Sequence, residues 1–268
     1  MKKAIVVCAA AAMILSCATN PFTGKKTMAF VPDSSLFASS FQQYSEFLKE
    51  HKVVTGTSDA QMVQRVGGKI RKAAEKWLSA HGHSNYLNDY KWEYKLVQDD
   101  AVNAWCMPGG KIVVYTGLLK VSGNEAGLAT VMGHEVAHAL ANHGQQRMSA
   151  SLLQQLGAVG LNEATGKSSE GTRQLAMMAY GAGSNVVGMM PFSRKHESEA
   201  DRIGLTLMAL AGYNPSEALS FWKRMSSQGG NSVPEILSTH PSDATRISNI
   251  QKLIPEAKAE AAKFGIKY

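Results

Sequence analysis

One segment of the sequence carries the pattern His-Glu-x-x-His, at His134, Glu135 and His138. A spacing of four residues on an α-helix places both imidazoles on one face, one turn apart, where they can ligate one tetrahedral Zn2+. Glu135 lies beside them and can accept a proton from an attacking water. The pattern therefore predicts a hydrolase site with one zinc ion per chain. A helix with two surface histidines is the alternative interpretation.

A catalytic zinc needs a third protein ligand, because its fourth position must stay open for water. Three candidates lie close together further along the chain: His196, Glu197 and Glu199. Glu197 and Asp201 are four residues apart and share a helix face, whereas Glu199 points elsewhere. A second carboxylate one turn beyond a ligand can orient a ligating imidazole through its other nitrogen. The alternative for Asp201 is a salt bridge to Arg202 or Arg194.

Further motifs accompany the two histidines. Residues 193–201 have the form S-R-x-x-E-x-x-A-D, residues 103–110 contain Asn-Ala-Trp and Pro-Gly-Gly, and residues 116–119 are Thr-Gly-Leu-Leu. Together with His-Glu-x-x-His, these motifs resemble metallopeptidase family forty-eight, the gluzincins that include HtpX, the CAAX prenyl endopeptidases and periplasmic lipoprotein proteases. The resemblance covers nearly the whole chain after residue 16. Trp105 and Cys106 depart from it, since Phe and an apolar residue are usual at those positions.

The resemblance implies roles for individual residues. His134, His138 and Glu197 match the family's zinc ligands, Glu135 matches its general base, and Asp201 matches a residue sometimes assigned as a proton donor. The family's strand after the Pro-Gly-Gly turn, here 111–116, is expected to lie at the cleft edge and to pair with the substrate backbone.

A second element of the resemblance is Thr239-His240-Pro241 followed by Arg246. It implies that His240 and Arg246 polarise the scissile carbonyl and stabilise the oxyanion, the largest electrostatic need in peptide hydrolysis. It also implies that His240 can occupy the open zinc position and hold the enzyme latent. Helix capping beside Pro241 is the alternative role for His240.

The remaining histidines of the chain show no ligand spacing. His143 lies five residues after His138 and is expected off the ligand face, while His51, His81 and His83 stand among polar residues. All four are predicted to be surface residues.

The first residues of the chain have the pattern of a bacterial secretion signal. Lys2 and Lys3 precede an apolar run at 4–15, which is too short to cross a bilayer. The following Cys17 completes Ile-Leu-Ser-Cys, which resembles a lipobox, in which the cysteine receives a lipid and becomes the new first residue. A plain signal peptide with a coincidental cysteine is the alternative.

The pattern predicts a signal peptide at 1–16, a lipidated tether at 17–32 and a zinc metallopeptidase domain at 33–268. Asn-Pro-Phe-Thr-Gly at 20–24 resembles the leader of the family's lipoprotein subgroup. Ala18 stands where Asp would indicate retention at the inner membrane. The expected location is therefore the bacterial cell envelope, with a lipid anchor at the outer membrane facing the periplasm.

Hydrophobic periodicity predicts the elements that must position the site. Helices are expected at 34–49, 60–78, 193–210 and 214–227, with a last helix from about residue 241. Ser122 and Glu125 have the form of a capping box that opens the His-Glu-x-x-His helix, which is expected to run to about His143.

Period-two alternation at 92–97, followed by short extended segments at 103–107 and 111–116, predicts a small antiparallel sheet beside that helix. Residues 149–192 are interpreted as two helical arms with a flexible tip. The expected fold is α+β, a mainly helical zincin-type metallopeptidase domain.

Composition narrows the function classes. The 268 residues are 44% hydrophobic, which is enough for a core, and their net charge is 28 minus 21, or +7. The basic residues are scattered without a stripe, which excludes a nucleic-acid groove. Nothing in the sequence predicts the oligomeric state.

The sequence predicts a zinc-dependent endopeptidase that acts on unfolded or mobile polypeptides, with a role in removing misfolded or misassembled envelope proteins. The alternatives are a zinc-containing lipoprotein chaperone or assembly factor for outer-membrane proteins with latent proteolysis, and a zinc hydrolase of non-peptide bonds.

Overall fold

The computed structural model describes residues 17–227, 235–240 and 244–268. The predicted signal peptide and Pro241 lie outside the described residues. The helices, in chain order, are α1 (Asp33–Glu50), α2 (Ser58–Ala80), α3 (Thr116–Ser122), α4 (Glu125–Leu140), α5 (His143–Ala164), α6 (Glu170–Gly183), α7 (Met190–Leu210), α8 (Glu217–Ser227), α9 (Glu235–Thr239) and α10 (Ala244–Lys263). A π-helix (Ser184–Met189) joins α6 to α7. The strands are β1 (Cys17–Thr19), β2 (Lys26–Met28), β3 (Val53–Val54), β4 (Glu93–Val97), β5 (Ala104–Met107) and β6 (Lys111–Tyr115).

The predicted fold class is confirmed, since helices dominate and one small sheet lies beside the His-Glu-x-x-His helix α4. The prediction of a purely antiparallel sheet is wrong. The strand order is β3-β4-β6-β5, and β4 runs parallel to β6 with Glu93 opposite Lys111. The chain passes from β4 to the edge strand β5 and returns through a turn at 108–110 into β6, which inserts between β4 and β5.

The helix that carries the histidine motif differs from its predicted bounds at both ends. Ser122 belongs to α3, and the cap of α4 is Asn124, whose Oδ1 accepts the N–H of Gly127 at 2.8 Å. The helix ends at Leu140 because Asn142 adopts a left-handed conformation with φ 57°. A new helix, α5, begins at His143 and leaves in a different direction.

The core of the described structure surrounds α4, in which every residue from 127 to 140 is buried. Apolar side chains of α2, α7, α8 and the sheet pack around it; the largest fully buried ones include Ile70, Leu128, Met132, Leu207, Phe221 and Trp222. No helix of the described residues is both long and apolar enough to span a membrane.

Two glycines allow α4 and α7 to cross at backbone contact. A Cβ on Gly204 would lie 2.9 Å from the backbone nitrogen of His134, and one on Gly133 would lie 2.9 Å from the carbonyl oxygen of Gly204. No side chain fits between the two helices at this point. The crossing therefore sets how closely α7 approaches the histidines of α4.

We expect Gly204→Ala to destabilise the protein by about 1–3 kcal/mol, because the added methyl group must force the two helices apart. Gly68→Ala is the matched control. It lies within α2 with no atom within 4 Å of its added Cβ, so stability should stay equal or rise by up to about 1 kcal/mol. Urea unfolding followed by circular dichroism measures both changes, and equal effects of the two variants would contradict the close crossing.

Candidate metal centre and hydrolytic site

Four side chains from three elements converge on one point of the structure. Potential ligand atoms of His134, His138, Glu197 and His240 all lie within 4.8 Å of one another. The Nε2 atoms of His134 and His138 are 3.1 Å apart, and each lies 3.3 Å from a carboxylate oxygen of Glu197. The structure thus brings the two histidines together with one of the three candidates for the third ligand.

Asp201 lies one helical turn beyond Glu197 on α7, and its Oδ1 is 3.0 Å from Nδ1 of His134. Arg246 of α10 holds the same carboxylate with two hydrogen bonds, from Nε to Oδ2 at 2.9 Å and from Nη2 to Oδ1 at 2.7 Å. The guanidinium lies 3.9 Å from the centroid of the Trp222 ring, which supports it from the other side. Asp201 therefore pairs with Arg246, and the alternative prediction of a salt bridge to Arg194 or Arg202 is wrong.

His240 follows α9 and reaches the cluster from outside the two main helices. Its Nδ1 lies 3.0 Å from both carboxylate oxygens of Glu197 and 3.3 Å from Nε2 of His134. Its backbone carbonyl accepts a hydrogen bond from Nη1 of Arg246 at 3.2 Å. The two residues of the predicted oxyanion pair are therefore linked to each other and to the ligand cluster.

Glu135 is 4% exposed, and its Oε1 atom accepts no hydrogen bond from the described residues. The nearest partner for that oxygen is Nε2 of His240, at 3.5 Å. A buried carboxylate oxygen without a donor is costly unless a polar group fills the space beside it. This geometry suits a carboxylate that accepts a proton from water.

The charges of the cluster reinforce one another. Burial alone would lower the pKa of His134, but its hydrogen bonds with Asp201 and Glu197 raise that pKa to about 9. Burial lowers the pKa of His138 well below its usual value. Burial would raise the pKa of Glu197, but hydrogen bonds from His134, His138 and His240 hold it well below its usual range.

The donor set fits a divalent transition metal. Imidazole nitrogens and one carboxylate are the ligand types of catalytic zinc sites. A histidine that binds a metal ion must be neutral, so His134 would lose its proton on binding. The formal charges of Glu135, Glu197, Asp201 and Arg246 then sum to 1 minus 3, or −2, which one divalent cation balances. His134, His138 and Glu197 would hold the ion, and Asp201 would orient His134 through Nδ1.

The prediction that His143 is a surface residue is wrong. Its side chain is fully buried, and its Nδ1 lies 2.9 Å from Nδ1 of His138. Its Nε2 lies 3.2 Å from Oε2 of Glu199, so the other nitrogen of a candidate ligand is connected to a carboxylate through a second imidazole. The left-handed conformation of Asn142 redirects the chain and brings His143 next to His138. The prediction assumes one continuous helix, in which His143 would lie off the ligand face.

The two rejected ligand candidates take part in this second group of side chains. Glu199 also pairs with Lys25 of the N-terminal segment. His196 stacks on His143 with ring centroids 4.0 Å apart, and its Nε2 lies 3.3 Å from Oε1 of Gln146. Burial lowers the pKa of His196 to about 3, so this ring stays neutral.

The other predicted surface histidines are mostly exposed. His81 and His83 are exposed, while His51 is half-buried and stacks on Phe47. Cys106 on β5 is a free thiol, and burial raises its pKa well above the usual value.

The prediction that the strand at 111–116 lies at the cleft edge and pairs with substrate is wrong. Residues 111–115 form β6, whose two edges are occupied by β4 and β5. The edge strands are β3 and β5, and β5 packs directly beside α4. The sequence predicts the hairpin turn at 108–110, but it does not indicate which of the two strands, β5 or β6, lies at the edge of the sheet.

A mainly helical fold with a His-Glu-x-x-His helix and a glutamate from a following helix defines a zincin-type metallopeptidase. The sequence matches Peptidase family M48 over residues 67–254, and the chain belongs to this family. The family resemblance inferred from the motifs is therefore confirmed, as is the predicted enzyme class, a metalloendopeptidase.

Several relatives carry such names. The chain is 37% identical over 188 residues to "Mitochondrial metalloendopeptidase OMA1" of Arabidopsis thaliana, covering 70% of this chain and 36% of that protein. It is 34% identical over 203 residues to the protein of the same name from Saccharomyces cerevisiae, covering 73% and 56%. It is 31% identical over 173 residues to "Beta-barrel assembly-enhancing protease" of Escherichia coli, covering 62% and 35%. The chain thus spans between about a third and just over half of these relatives.

We expect His143→Phe to weaken zinc binding by about 10- to 100-fold, because a partner that orients a metal ligand typically contributes that much. The phenyl ring keeps the volume of the imidazole but cannot hydrogen-bond His138. His196→Phe is the matched control, since that ring is also buried, stacks on His143 and lies within hydrogen-bond distance of Gln146, which is not a candidate ligand. Competition with a chromogenic chelator measures the affinity, and equal weakening by both variants would show that only packing matters.

Proposed function

We propose that this chain is a zinc-dependent endopeptidase that hydrolyses peptide bonds with water. The observation that supports it best is the convergence of His134, His138 and Glu197, with Glu135 beside them and its buried Oε1 accepting no hydrogen bond from the described residues. Zinc, when bound, would act as a Lewis acid that activates water and polarises the scissile carbonyl.

The protein side chains then have distinct tasks. Glu135 takes the proton from the attacking water at its free carboxylate oxygen and delivers it to the leaving amine. His240 and Arg246 supply positive or hydrogen-bonding groups to the oxygen that becomes negatively charged. Asp201 holds both His134 and Arg246, so it couples the orientation of a metal ligand to the position of the oxyanion partner.

The substrate is proposed to bind as an extra strand on the outer edge of β5, which pairs with no other strand of the described residues. An extended peptide there would pair with the backbone of 104–107 and pass next to α4. Recognition through backbone hydrogen bonds favours unfolded or mobile segments and imposes little sequence preference. The proposed substrates are therefore misfolded or misassembled proteins of the bacterial envelope; the similarity to the beta-barrel assembly-enhancing protease of Escherichia coli supports this proposal.

His240 supports a proposal of latency as well. His240 offers a potential ligand atom within 4.8 Å of those of His134, His138 and Glu197. It could therefore fill the metal position that substrate or water needs. His240→Ala is expected to open that position while it weakens oxyanion stabilisation.

We expect Glu135→Gln to lower the rate of casein cleavage by about 10²–10⁴-fold, because the amide cannot accept the proton, while zinc binding and folding persist. Glu46→Gln is the matched control, an identical change at an exposed position of α1 with no contact to the site. Degradation of fluorescent casein by the purified chain, with and without chelator, measures the rate.

Cleavage that survives the chelator would contradict a metal-dependent mechanism. Absence of cleavage by both the wild-type chain and His240→Ala would contradict an active or latent protease. In that case the chaperone alternative is favoured, and a cellular phenotype that survives Glu135→Gln would support it.

The proposed location is the outer membrane, facing the periplasm, with a lipid on Cys17. We expect labelled palmitate to be incorporated by the wild-type chain and lost completely in Cys17→Ser, since only a lipobox cysteine is acylated. Cys8→Ser removes a cysteine within the predicted signal peptide and should leave incorporation unchanged. Equal labelling of all three chains would contradict lipidation at Cys17.

A further inference from the structure

The helical hairpin that follows the site stands apart from the core. We call residues 148–190 the arm; it comprises most of α5, all of α6, the π-helix and the first residue of α7. No side chain from residue 150 to residue 183 is buried. The two helices contact each other, as where the Tyr180 hydroxyl donates to the carbonyl of Gln154 at 3.0 Å. The buried residues of α5 are confined to its first two turns.

The arm exposes large apolar side chains to an unusual degree. Eight large apolar residues of the described structure are strongly exposed, and only Tyr268 lies outside the arm. The seven on the arm are Met148 (48%), Leu152 (41%), Leu156 (56%), Val159 (61%), Leu175 (69%), Met178 (72%) and Met190 (50%). On α5 they recur at spacings of three and four, which places them along one face. An exposed apolar helix face of this kind indicates an interaction surface.

The distribution of charge on the arm indicates the kind of surface that the arm binds. Residues 148–162 and 174–193 contain no charged side chain. Across 143–195 there are five basic residues (Arg147, Lys167, Arg173, Arg194 and Lys195) and two acidic ones (Glu163 and Glu170), a net charge of 5 minus 2, or +3. Apolar faces flanked by positive charge are typical of helices that lie in the head-group region of anionic membranes.

The arm begins next to the N-terminal segment that would carry the lipid. Cys17 is paired with Met28 in the β1–β2 ladder, and β2 packs on α5. The backbone N–H of Phe30 donates to the Ser149 hydroxyl at 3.2 Å, and the Gln145 amide donates to the carbonyl of Val31 at 2.7 Å. A lipid on Cys17 would therefore enter the bilayer close to the base of the arm.

We infer that the arm inserts its apolar face into the head-group region of an anionic phospholipid membrane, as a second attachment beside the lipid. The inference rests on the proposed envelope location, but it does not depend on peptide hydrolysis. The lipid on Cys17 would hold the chain at one point only, so a second apolar contact beside it would add to the attachment. It also fixes the orientation of the catalytic site, because α5 begins at His143 beside the candidate ligand His138.

The first experiment places an environment-sensitive fluorophore on the arm of the full chain. A single cysteine replaces Leu156, Met178 or, as a control on α1, the exposed Gln42, in a chain whose own cysteines are changed by Cys8→Ser, Cys17→Ser and Cys106→Ser. The probe is added to vesicles of phosphatidylethanolamine with phosphatidylglycerol, and to vesicles of phosphatidylcholine alone. Because the signal is local, binding through the predicted signal peptide does not imitate it.

We expect a blue-shifted emission and quenching by spin-labelled lipid at 156 and 178, stronger with the anionic vesicles, and neither effect at 42. Unchanged spectra at 156 and 178 in the presence of vesicles would overturn the inference. A blue shift that appears without vesicles and grows with protein concentration would also overturn it, because the arm would then be covered by a second copy of the chain.

The second experiment removes the apolar face. Leu156→Glu with Val159→Glu and Met178→Glu should lower the bound fraction in vesicle flotation at least about tenfold, since three exposed apolar side chains lose their favourable transfer. The control variant, Gln42→Glu with Gln43→Glu and Ser45→Glu, adds the same three negative charges at exposed polar positions and should have little effect on the bound fraction. Casein cleavage in solution should be equal in both variants. Loss of cleavage in the arm variant alone, with flotation unchanged, would identify the arm as a substrate surface and overturn the membrane assignment.

Discussion

The backbone contact between α4 and α7 is the constraint on which the site depends. Gly204 lies against Gly133 and His134, so the two helices cross with no side chain between them. One turn earlier on α7, Asp201 meets His134, and one turn before that Glu197 reaches both His134 and His138. Successive turns of α7 thus contact the histidines of α4, and the helix crossing sets the geometry of the candidate ligands.

The burial of so much charge beside this crossing explains the remaining partners. Arg246 neutralises part of the negative charge, binds Asp201 through two hydrogen bonds and is covered by Trp222. Buried ionised groups are stable only when paired, so each carboxylate of the site has a fixed cationic or imidazole neighbour. Glu135 has a more distant neighbour, because its Oε1 lies 3.5 Å from Nε2 of His240 and accepts no hydrogen bond from the described residues. The group with the free acceptor is the one that the chemistry requires to receive a proton.

Spacing within single helices predicted this part of the site from the sequence. The four-residue intervals from His134 to His138 and from Glu197 to Asp201 are local, and helical geometry fixes which side chains share a face. The burial of His143 could not be predicted because one left-handed residue, Asn142, changes the direction of the chain between it and His138. The strand order could not be predicted either, since the hairpin of β5 and β6 is local but the pairing of β6 with β4 is between strands distant in sequence.

The edge strand and the loop histidine act on the same part of the molecule. The backbone N–H of Ile236, in the helix that leads to His240, donates to the carbonyl of Val102 at 3.3 Å, two residues before β5 begins. A peptide that binds along β5 as proposed, and extends past Ala104, would compete with Ile236 for that carbonyl. The competition would remove one contact of the segment that holds His240 against Glu197. The proposed strand addition and the proposed latency therefore involve the same segment of the chain.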